Sequence, residues 1–433
     1  MKSANTISIF FLFLVAVMMV PGQATAGDIW RGGSLYARFG AGLPHDTNAG
    51  FADGMGVYGV AIFESRHTNN ANPAIWSRSL VSNASGLFEI NSFQSTLGEE
   101  KTSVTQYQAG SFQLVLPVKR DRVGISLSIS PLTSLRYQTF SDHAVSADQN
   151  HALEEIPYTT ENTGSGGLNR LELGIGVRLT SSISVGYAPS LILGVLRHDQ
   201  FVDFDHVDYR SLELRGRESH YGFGNRFGLF IQDDNVFGNN DRLSFGATVN
   251  LPVTLSSEKT LRSRVRGIEF DVHPDSYFGD GNAKLPMEIG AGFAYYFNPR
   301  FLVSSDILYQ NWEEYRNYYG DQETYYKDRI RVGAGTQLIP GGRDASRFFS
   351  RFIYRLGVSY DTGHITLNDK NIESFRIHAG LGVPSSRTRS SFDISAEYGF
   401  MGTSKADLAR ERVFSLKVSF NLSELMFMQR LLQ

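Results

Sequence analysis

Residues 391–400 read SFDISAEYGF, and this stretch decides the fold. Every second position carries an apolar or aromatic side chain, and the positions between them are mostly polar. The apolar set is Phe392, Ile394, Ala396, Tyr398 and Phe400, and the polar set is Asp393, Ser395 and Glu397. A period of two is the mark of a β-strand with one apolar face and one polar face. The same alternation recurs at residues 412–420, 374–383 and 242–251, so we predict an all-β chain.

The pattern, followed outward from these strands, predicts about fourteen strands. They fall near residues 83–94, 105–117, 121–131, 168–179, 182–195, 221–232, 241–254, 285–297, 300–312, 328–339, 351–361, 372–383, 391–400 and 412–421. Each is at least as long as the ~9–11 residues that a tilted strand needs to cross a bilayer. Tight turns alternate with long loops, which we expect at residues 133–167, 196–220, 256–284 and 313–327. A soluble sandwich shares the two-sided strands, but this rhythm and the even strand number favour a transmembrane antiparallel β-barrel.

The composition supports one large barrel rather than several soluble domains. The 433 residues include 43 Gly, 20 Tyr and 31 Phe, with no break that would mark a domain boundary. The formal net charge of −3 gives no sign of a nucleic-acid partner. The absence of Cys excludes disulfides and thiolate metal sites.

The first residues predict export. Lys2 is followed by an apolar run at residues 7–20 and by Ala24-Thr25-Ala26, small residues of the kind that precede a signal-peptidase cleavage site. A membrane anchor is the alternative, but the run is shorter than the ~20 residues of a spanning helix. We therefore expect a signal peptide at residues 1–26. Export and barrel strands together predict localisation in the bacterial outer membrane.

One segment departs from the strand pattern. Residues 28–76 are rich in Gly and Asn and end in Asn72-Pro73-Ala74-Ile75-Trp76. We expect this segment to lie inside the barrel as a plug, and we call it the hatch. The predicted organisation is a hatch at residues 27–82, a barrel at residues 83–421 and a short periplasmic tail at residues 422–433.

Short motifs in a fixed order resemble the FadL/TodX family of outer-membrane transporters for hydrophobic compounds. The most specific motif is Asn72-Pro73-Ala74, just before the first strand. Further pieces are Tyr221-Gly222-Phe223-Gly224, Phe297-Asn298-Pro299, Gln310-Asn311-Trp312 and the stretches at residues 327–333 and 355–361. The resemblance implies a fourteen-stranded barrel with an N-terminal hatch and a lateral opening at a kinked third strand. It places Ser130, Pro131 and Leu132 at that opening, with the Asn-Pro-Ala motif near it.

The hatch offers candidate walls for a hydrophobic pocket. They are Trp30, Leu35, Tyr36, Phe39, Phe51, Ile75 and Trp76, together with Asn72, Pro73 and Ala74. Each methylene that leaves water contributes ~0.8 kcal/mol, so a long acyl chain gains on the order of 10 kcal/mol in an apolar pocket. Each of these residues, taken singly, equally suits fixing the plug to the wall. Inward charges such as Arg331, Arg376 and Lys417 are expected either to meet a ligand carboxylate or to pair with lumenal acids.

Three functions stay open from the sequence. The leading one is passive diffusion of hydrophobic small molecules, either long-chain fatty acids or hydrocarbons. The others are a non-transporting barrel that acts as a scaffold or secretion partner, and a general porin. An apolar pocket against the hatch would favour the transporter, an open polar lumen the porin, and a filled lumen the scaffold.

The expected partners are a hydrophobic ligand, outer-membrane lipid and, during biogenesis, the barrel-assembly machinery, with the protein itself a monomer. No catalytic residue, cofactor or metal site is predicted. Ser219 and His220 are neighbours in sequence, which does not make a catalytic triad. The acidic stretch at residues 198–208 lacks the spacing of an EF-hand loop.

Overall fold

The structure is a computed structural model. It describes residues 32–46, 50–149, 152–205, 209–265, 268–271, 277–341, 347–385 and 390–424. The predicted signal peptide, Trp30 and residues 425–433 of the predicted tail lie outside the described residues. In the part that is described, no helix is both long and apolar enough to cross a membrane.

Fourteen antiparallel strands form one closed barrel, which confirms the antiparallel β-barrel predicted from the sequence. We number them β1 to β14 along the chain. Their bounds are β1 Ser82–Leu97, β2 Glu100–Lys119, β3 Val123–Pro131 with its continuation Tyr137–Gln149, β4 Ala152–Arg178, β5 Ile183–Phe204, β6 Leu212–Asp234, β7 Arg242–Asn250 with Val253–Val265, β8 Tyr277–Leu285 with Glu288–Asn298, β9 Phe301–Gln310, β10 Arg329–Leu338, β11 Ile353–Asp361, β12 Ser374–Pro384, β13 Ser391–Gly402 and β14 Arg410–Glu424. β1 closes the ring on β14, from Ser82↔Glu424 to Thr96↔Arg410.

Alternate side chains point outward and form an apolar belt. On β12, Phe375 and Ile377 are 46% and 54% exposed, whereas the inward-pointing His378 is buried. On β13, Asp393 points inward and is buried as well. In a soluble fold the apolar face would be the covered one, so this reversed exposure indicates a barrel surrounded by lipid.

The prediction of long loops at residues 133–167, 196–220 and 256–284 is wrong. Most of these residues continue the strands as hairpins, so that β4 begins at Ala152 and β6 at Leu212. The alternation fades there because polar residues occupy both faces once a strand has left the lipid belt. The last strand also runs to Glu424, three residues past the predicted end of the barrel.

Smaller elements lie between the barrel strands along the chain. They are the strand Ile268–Asp271, the hairpin of Thr366–Leu367 with Lys370–Asn371, and the 3₁₀ helices Trp312–Glu314 and Phe348–Arg351. The short turns of the barrel lie at one end, which is the periplasmic end in barrels of this kind, and the long hairpins lie at the extracellular end.

The segment of residues 32–81, which belongs to the predicted hatch, contacts inward-facing residues of the barrel wall. Its regular elements are the 3₁₀ helices Leu35–Arg38, Ala52–Met55 and Pro73–Arg78, and the two-residue strand Leu43–Pro44, which pairs with Thr133–Ser134. Contacts reach the hatch from opposite sides of the wall. The Gly59 N–H donates to Asp306 on β9 at 2.8 Å, and Lys417 on β14 donates to Asp53 at 3.0 Å.

A belt of inward-facing glycines receives the hatch. A Cβ at Gly186 would collide with the backbone of Pro73, one at Gly246 with the carbonyl of Val60, and one at Gly357 with that of Met55. Others in contact with the hatch are Gly124, Gly174, Gly176, Gly228, Gly333, Gly335 and Gly380. Because glycine lacks a side chain, hatch backbone and wall backbone pack directly against each other.

Candidate functional site

The Asn-Pro-Ala-Ile-Trp motif docks the hatch on the wall. The Asn72 amide donates to the carbonyls of Val60 at 2.8 Å and of Leu229 on β6 at 2.9 Å. Its side-chain oxygen accepts from the Ala74 N–H at 3.0 Å, which caps the 3₁₀ helix that Pro73 begins. One side chain therefore fixes the local turn, the hatch interior and the wall together.

The aromatic residues predicted to form a pocket do not share one. Trp76 is buried with Val115 and Ala188, and its ring N–H donates to the Asn69 carbonyl at 2.7 Å. Ile75 packs on Phe230. Phe51 is buried in the middle of the hatch, where its ring centroid lies 4.6 Å from that of His67. Phe39 belongs to a different cluster, where its ring centroid lies 5.3 Å from that of Tyr325.

The wall is interrupted beside Ser130, Pro131 and Leu132. β2 pairs with β3 only from Phe112↔Ile129 to Lys119↔Val123. After Pro131 the chain turns inward, and Thr133–Ser134 pairs with the hatch. β3 then resumes on β4 alone, from Tyr137↔Gly164 onward. Among the residues that the structure describes, residues 100–111 of β2 therefore have a paired strand on one side only, which leaves a lateral gap between β2 and β3.

Side chains and the start of the hatch fill this lateral gap. Arg136 donates to the Tyr107 carbonyl across it at 3.1 Å, and Gln106 donates to Ser134 at 3.3 Å. Gly32 lies against Val104 of β2, and Gly33 lies against the Arg136 carbonyl. We call residues 32–36 the strap.

The strap is held in place by the buried carboxylate of Glu411 on β14. This carboxylate accepts from the Ser34 hydroxyl at 2.6 Å and from the Leu35 N–H at 2.7 Å. Ser95 on β1 also donates to it, at 2.9 Å. The strap is thereby tied to the strands beside the seam of the barrel.

A cavity of about 130 Å³ lies between the strap, the hatch and the wall. Its lining is rich in charged side chains, among them the inward cations Arg331, Arg376 and Lys417, and none of the described hatch residues predicted to form an apolar pocket borders it. The charged and ionisable lining residues are His45, Asp46, Glu89, Arg136, Arg329, Arg331, Asp361, Arg376, Glu397 and Lys417. The cavity is a polar chamber and not an apolar pocket.

Asp46 on the hatch is the centre of an ion network in this chamber. It accepts from Arg329 at 3.0 Å, from Arg331 at 2.5 Å and from the Tyr58 hydroxyl at 2.7 Å. Burial opposes ionisation of this carboxyl, but the two guanidinium groups outweigh it and hold the pKa of Asp46 well below its ordinary value. Arg329 also binds Asp361, at 2.6 Å.

Other buried ion pairs join the hatch to the wall in the same way. Arg355 donates to Asp393 at 2.6 Å, and His67 on the hatch lies 3.1 Å from the same carboxylate. Arg226 pairs with Glu172 and donates to the hatch carbonyl of Asn70 at 2.6 Å. Inward charges therefore serve as anchors for the plug.

An apolar and aromatic cluster lies at the extracellular side of the chamber. Its centre is Trp312, Tyr315 and Tyr326, with ring centroids 4.9–5.6 Å apart. His364 packs on Trp312 at 4.6 Å, and burial, with a smaller effect of Arg329, lowers the pKa of His364 to about 3. The imidazole is therefore neutral, as its apolar surroundings require.

One group of side chains has the order of a catalytic triad. The Ser359 hydroxyl lies 2.8 Å from His378 Nε2, and His378 Nδ1 lies 3.5 Å from Glu397. Ser359 and His378 are buried, Gly56 of the hatch packs on the imidazole, and neither residue borders the chamber. In the structure this arrangement is a packing contact between the hatch and the wall. Ser219, in turn, points away from His220, whose imidazole faces Ser257 at 2.7 Å.

Sequence reasoning missed most of the anchoring residues. Asp46, Asp53, Arg329 and Glu411 come from distant parts of the chain, and no local motif marks them. The available signal was the alternation itself, because it places charged residues such as Arg331 on the inner face of a strand. The expectation that inward cations pair with acids does describe Arg376, which lies 2.9 Å from Glu397.

Known proteins that resemble this chain share its fold. A protein-family model named BamG matches residues 5–432, and no curated protein matches the sequence. Similar solved structures include the CymD monoaromatic hydrocarbon channel, with 15% identity and a TM-score of 0.53 over 89% of this chain and 100% of that one. A Pseudomonas aeruginosa FadL homologue has 14% identity and a TM-score of 0.57 over 88% and 99%. The Ralstonia pickettii toluene transporter TbuX has 13% identity and a TM-score of 0.55 over 90% and 99%. These low identities show a common FadL-like fold alone, whereas the family model spans nearly the whole chain. The protein therefore belongs to the BamG family.

Proposed function

We propose that this protein is a sealed barrel of the bacterial outer membrane that acts as an assembly partner for other envelope proteins, together with the barrel-assembly machinery. The observation that carries the proposal is the filled lumen. Hatch backbone packs directly on wall backbone, and the chamber beside it is lined by ion pairs. The name of the family, BamG, points to the same machinery.

The chemistry of the chamber argues against a hydrophobic ligand within the lumen. Small-molecule pockets usually measure ~300–1,000 Å³ and are lined mainly by apolar side chains. A cavity of ~150 Å³ binds benzene when leucine, isoleucine and phenylalanine line it. This chamber is similar in size, but a hydrocarbon inside it would strip water from Asp46, Arg331 and their neighbours without replacing any hydrogen bond.

The test is to deplete the protein in its own bacterium and follow two quantities in the same cells. The first is the amount of folded outer-membrane barrels, measured by quantitative membrane proteomics. The second is the uptake of labelled oleate and toluene. We expect the folded barrels to fall severalfold while uptake per unit of membrane stays unchanged. A loss of uptake with normal barrel levels would contradict the assembly role.

A tagged copy supplies the second half of this test. Extraction in a mild detergent should recover the barrel-assembly machinery with the protein in a fixed ratio. An unrelated outer-membrane barrel that carries the same tag, expressed at the same level, is the control. In planar bilayers the purified protein should give no steady conductance, because the lumen is filled. A steady open current would support the porin.

Transport of hydrophobic molecules is the second candidate, and the lateral gap favours it. CymD and TbuX are described as a hydrocarbon channel and a toluene transporter. In this chain a comparable route would pass between β2 and β3, beneath the strap. The strap and the bond between Gln106 and Ser134 would both have to move to let a ligand through.

A cross-link distinguishes the two candidates. The natural chain has no Cys, so Gln106→Cys with Ser134→Cys allows a short bis-maleimide to join β2 to the turn after β3. If hydrocarbons cross the gap, the cross-linked protein loses toluene uptake and each single-Cys variant, treated with the same reagent, keeps it. If the protein is an assembly partner alone, the cross-link leaves both uptake and barrel assembly unchanged.

A further inference from the structure

We propose that the unpaired edge of β2 beside the lateral gap is a docking site for a single β-strand of another outer-membrane barrel, the client, while that barrel assembles. This inference rests on the proposed assembly role and names the surface that performs it. The edge consists of residues 102–109, and we call it the open edge. Its backbone, its sequence, the width of the gap and the polarity of the two faces of the gap define the occupant.

The backbone of the open edge has hydrogen-bonding groups that point into the lateral gap. The Tyr107 carbonyl accepts from Arg136 across the gap at 3.1 Å. In an antiparallel strand the N–H and C=O of one residue point to the same side, and residues two apart share that side. The N–H and C=O of Ser103 and Thr105 therefore also point into the gap, where no described residue pairs with them. An arginine side chain thus donates where a neighbouring strand would otherwise donate.

The sequence of the open edge does not protect it from further pairing. Residues 102–109 read TSVTQYQA, without a charged residue or a proline. Natural proteins usually place charged side chains or proline on an exposed edge, because its free N–H and C=O groups are a template for another chain. Valine, threonine and tyrosine also favour the extended conformation. The open edge is therefore suited to receive one more strand.

The width of the lateral gap suits one added strand and excludes two. An extended arginine side chain reaches ~7 Å from its Cα atom, so the backbone of Arg136 lies at most ~10 Å from the Tyr107 carbonyl. Neighbouring strands are ~4.8 Å apart, so one added strand needs ~9.6 Å between its neighbours and two need ~14 Å. Across the gap, residues 137–149 of β3 pair with β4 alone, so a second edge faces the open edge. One added strand would therefore make the wall continuous.

The two faces of the gap select a membrane strand. On the inner side, Gln106, Gln108 and Ser134 border the polar chamber. On the outer side, Tyr107 and the nearby Phe88 of β1 are 37% and 46% exposed and belong to the apolar belt. A strand in this place needs polar residues inward and apolar residues outward, which is the alternation of a transmembrane barrel strand. The occupant is therefore a strand of another barrel and not a segment of a soluble protein.

The strap leaves the open edge accessible from outside. Gly32 lies against the side chain of Val104, which shares the inner face of β2 with Gln106. The strap therefore crosses the gap on the lumen side, and a cross-link between residues 106 and 134 would lie on that side too. The bond from Arg136 is the contact that an added strand would replace with ladder hydrogen bonds.

Disulfide cross-linking in the bacterium that makes the protein tests the proposal. Thr105→Cys places an outward thiol on the open edge of the full-length chain, which has no natural Cys. The control is Gln94→Cys on β1, which is also exposed but has a paired strand on both sides. The client is an inducible outer-membrane barrel of the same bacterium, labelled in a short pulse. It carries single Cys residues along its first or last strand, because these two strands have a free edge until the barrel closes.

The expected cross-links have a period of two. Thr105→Cys should join every second residue of one client strand, because side chains on one face recur with that period. Its yield should exceed that of Gln94→Cys at least about tenfold, since only directly paired strands bring Cβ atoms within ~5 Å. The cross-links should disappear when the label is chased into folded client.

A proline variant tests the backbone pairing itself, with Ser103→Cys as the reporter. Thr105→Pro removes an N–H that points into the gap and no ladder bond to β1, so we expect cross-linking to fall about tenfold. Thr105→Val keeps the backbone and should retain the cross-links. Unchanged heat-modifiable migration in SDS gels shows that each variant is folded, and if the proline variant does not fold, the comparison of Thr105→Cys with Gln94→Cys decides alone.

Three results would overturn the proposal. They are equal cross-linking of Thr105→Cys and Gln94→Cys, no cross-link to the client, and a disulfide between two copies of this chain in place of one to the client. If depletion of the protein still lowers the amount of folded barrels in that case, the assembly role stands and only the docking site is wrong. Unchanged barrel levels after depletion would refute the assembly role and this site together.

Discussion

Replacing Asp46 with Asn should loosen the hatch without disturbing the barrel. Asn keeps the size of the side chain and removes its charge. Arg329 would retain Asp361, whereas Arg331 would lose the only carboxylate with which it pairs in the described part of the chain. Breaking a buried ion pair typically costs ~3–5 kcal/mol. The chamber borders Arg331 and can admit water to it, so we expect a smaller loss of ~2–3 kcal/mol.

Hydrogen exchange measures this loss directly. If hatch amides exchange through local opening, a loss of ~2–3 kcal/mol accelerates their exchange ~30–150-fold. The effect should be confined to residues 43–62, and the strand amides should be unchanged. Glu99→Gln, at the exposed turn between β1 and β2, is the control. Acceleration of less than threefold in Asp46→Asn would refute the view that this network holds the hatch.

The pH dependence of hatch hydrogen exchange tests the role of Asp46 independently. The pKa of Asp46 is lowered in the folded protein, because Arg329 and Arg331 outweigh the opposing effect of burial. A group of this kind stabilises the fold fully above its unfolded pKa of ~3.9, and this stabilisation is lost as the pH falls below that value. Hatch exchange in the wild type should therefore accelerate below about pH 4, measured relative to intrinsic exchange. Asp46→Asn should lack that component.

Three other changes test the packing and charges of the hatch. Gly246→Ala places a Cβ against the Val60 carbonyl and should destabilise the hatch by ~1–3 kcal/mol. The control Gly238→Ala, where the added Cβ meets open space, should be neutral. Equal rates of hatch hydrogen exchange in the two variants would contradict the argument that the glycines make room for the hatch. Trp76→Ala should cost ~3–5 kcal/mol and make the hatch accessible to protease, and a resistant hatch would count against its anchoring role. Burial of His45 disfavours its charged form, but the carboxylate of Glu89 on β1 outweighs burial and raises the pKa of His45. Its stabilisation is therefore full below about pH 6.5 and is lost as the pH rises through the raised value, so hatch exchange should accelerate on the alkaline side in the wild type and not in His45→Gln.

The barrel could be predicted from sequence because one physical rule governs all its strands. In lipid, each strand must show an apolar face outward, and this requirement leaves the period of two in residues such as Phe375 and Ile377. The rule ends where the lipid ends. In the hairpin extensions of β3 to β8, one face contacts water and the other faces the lumen, so both faces carry polar residues. The alternation of apolar and polar residues is therefore weak, and the sequence pattern predicts loops there.

The hatch shows the opposite limit. Its place inside the barrel follows from its contrast with the strands, and the Asn-Pro-Ala motif marks where it meets the wall. The contents of the lumen could not be read in the same way. Phe51 and Trp76 are equally good candidates for a pocket wall in the sequence, but in the structure each packs in a different buried cluster. The pair of Asp46 with Arg331 joins residues far apart in the chain, and only the closed fold brings them together.

The hatch also spans the seam where the barrel closes. The Thr68 hydroxyl contacts the Ser85 hydroxyl on β1, and the Thr68 N–H donates to the side-chain oxygen of Asn421 on β14 at 3.4 Å. Joining the two ends of a chain of this length costs ~5 kcal/mol in loop-closure entropy. Contacts made to both strands by one preceding segment offset part of that cost, and they form fully only when β1 and β14 meet. We therefore expect docking of the hatch and pairing of β1 with β14 to occur in one cooperative folding step. A chain with a loosened hatch should then close its barrel more slowly.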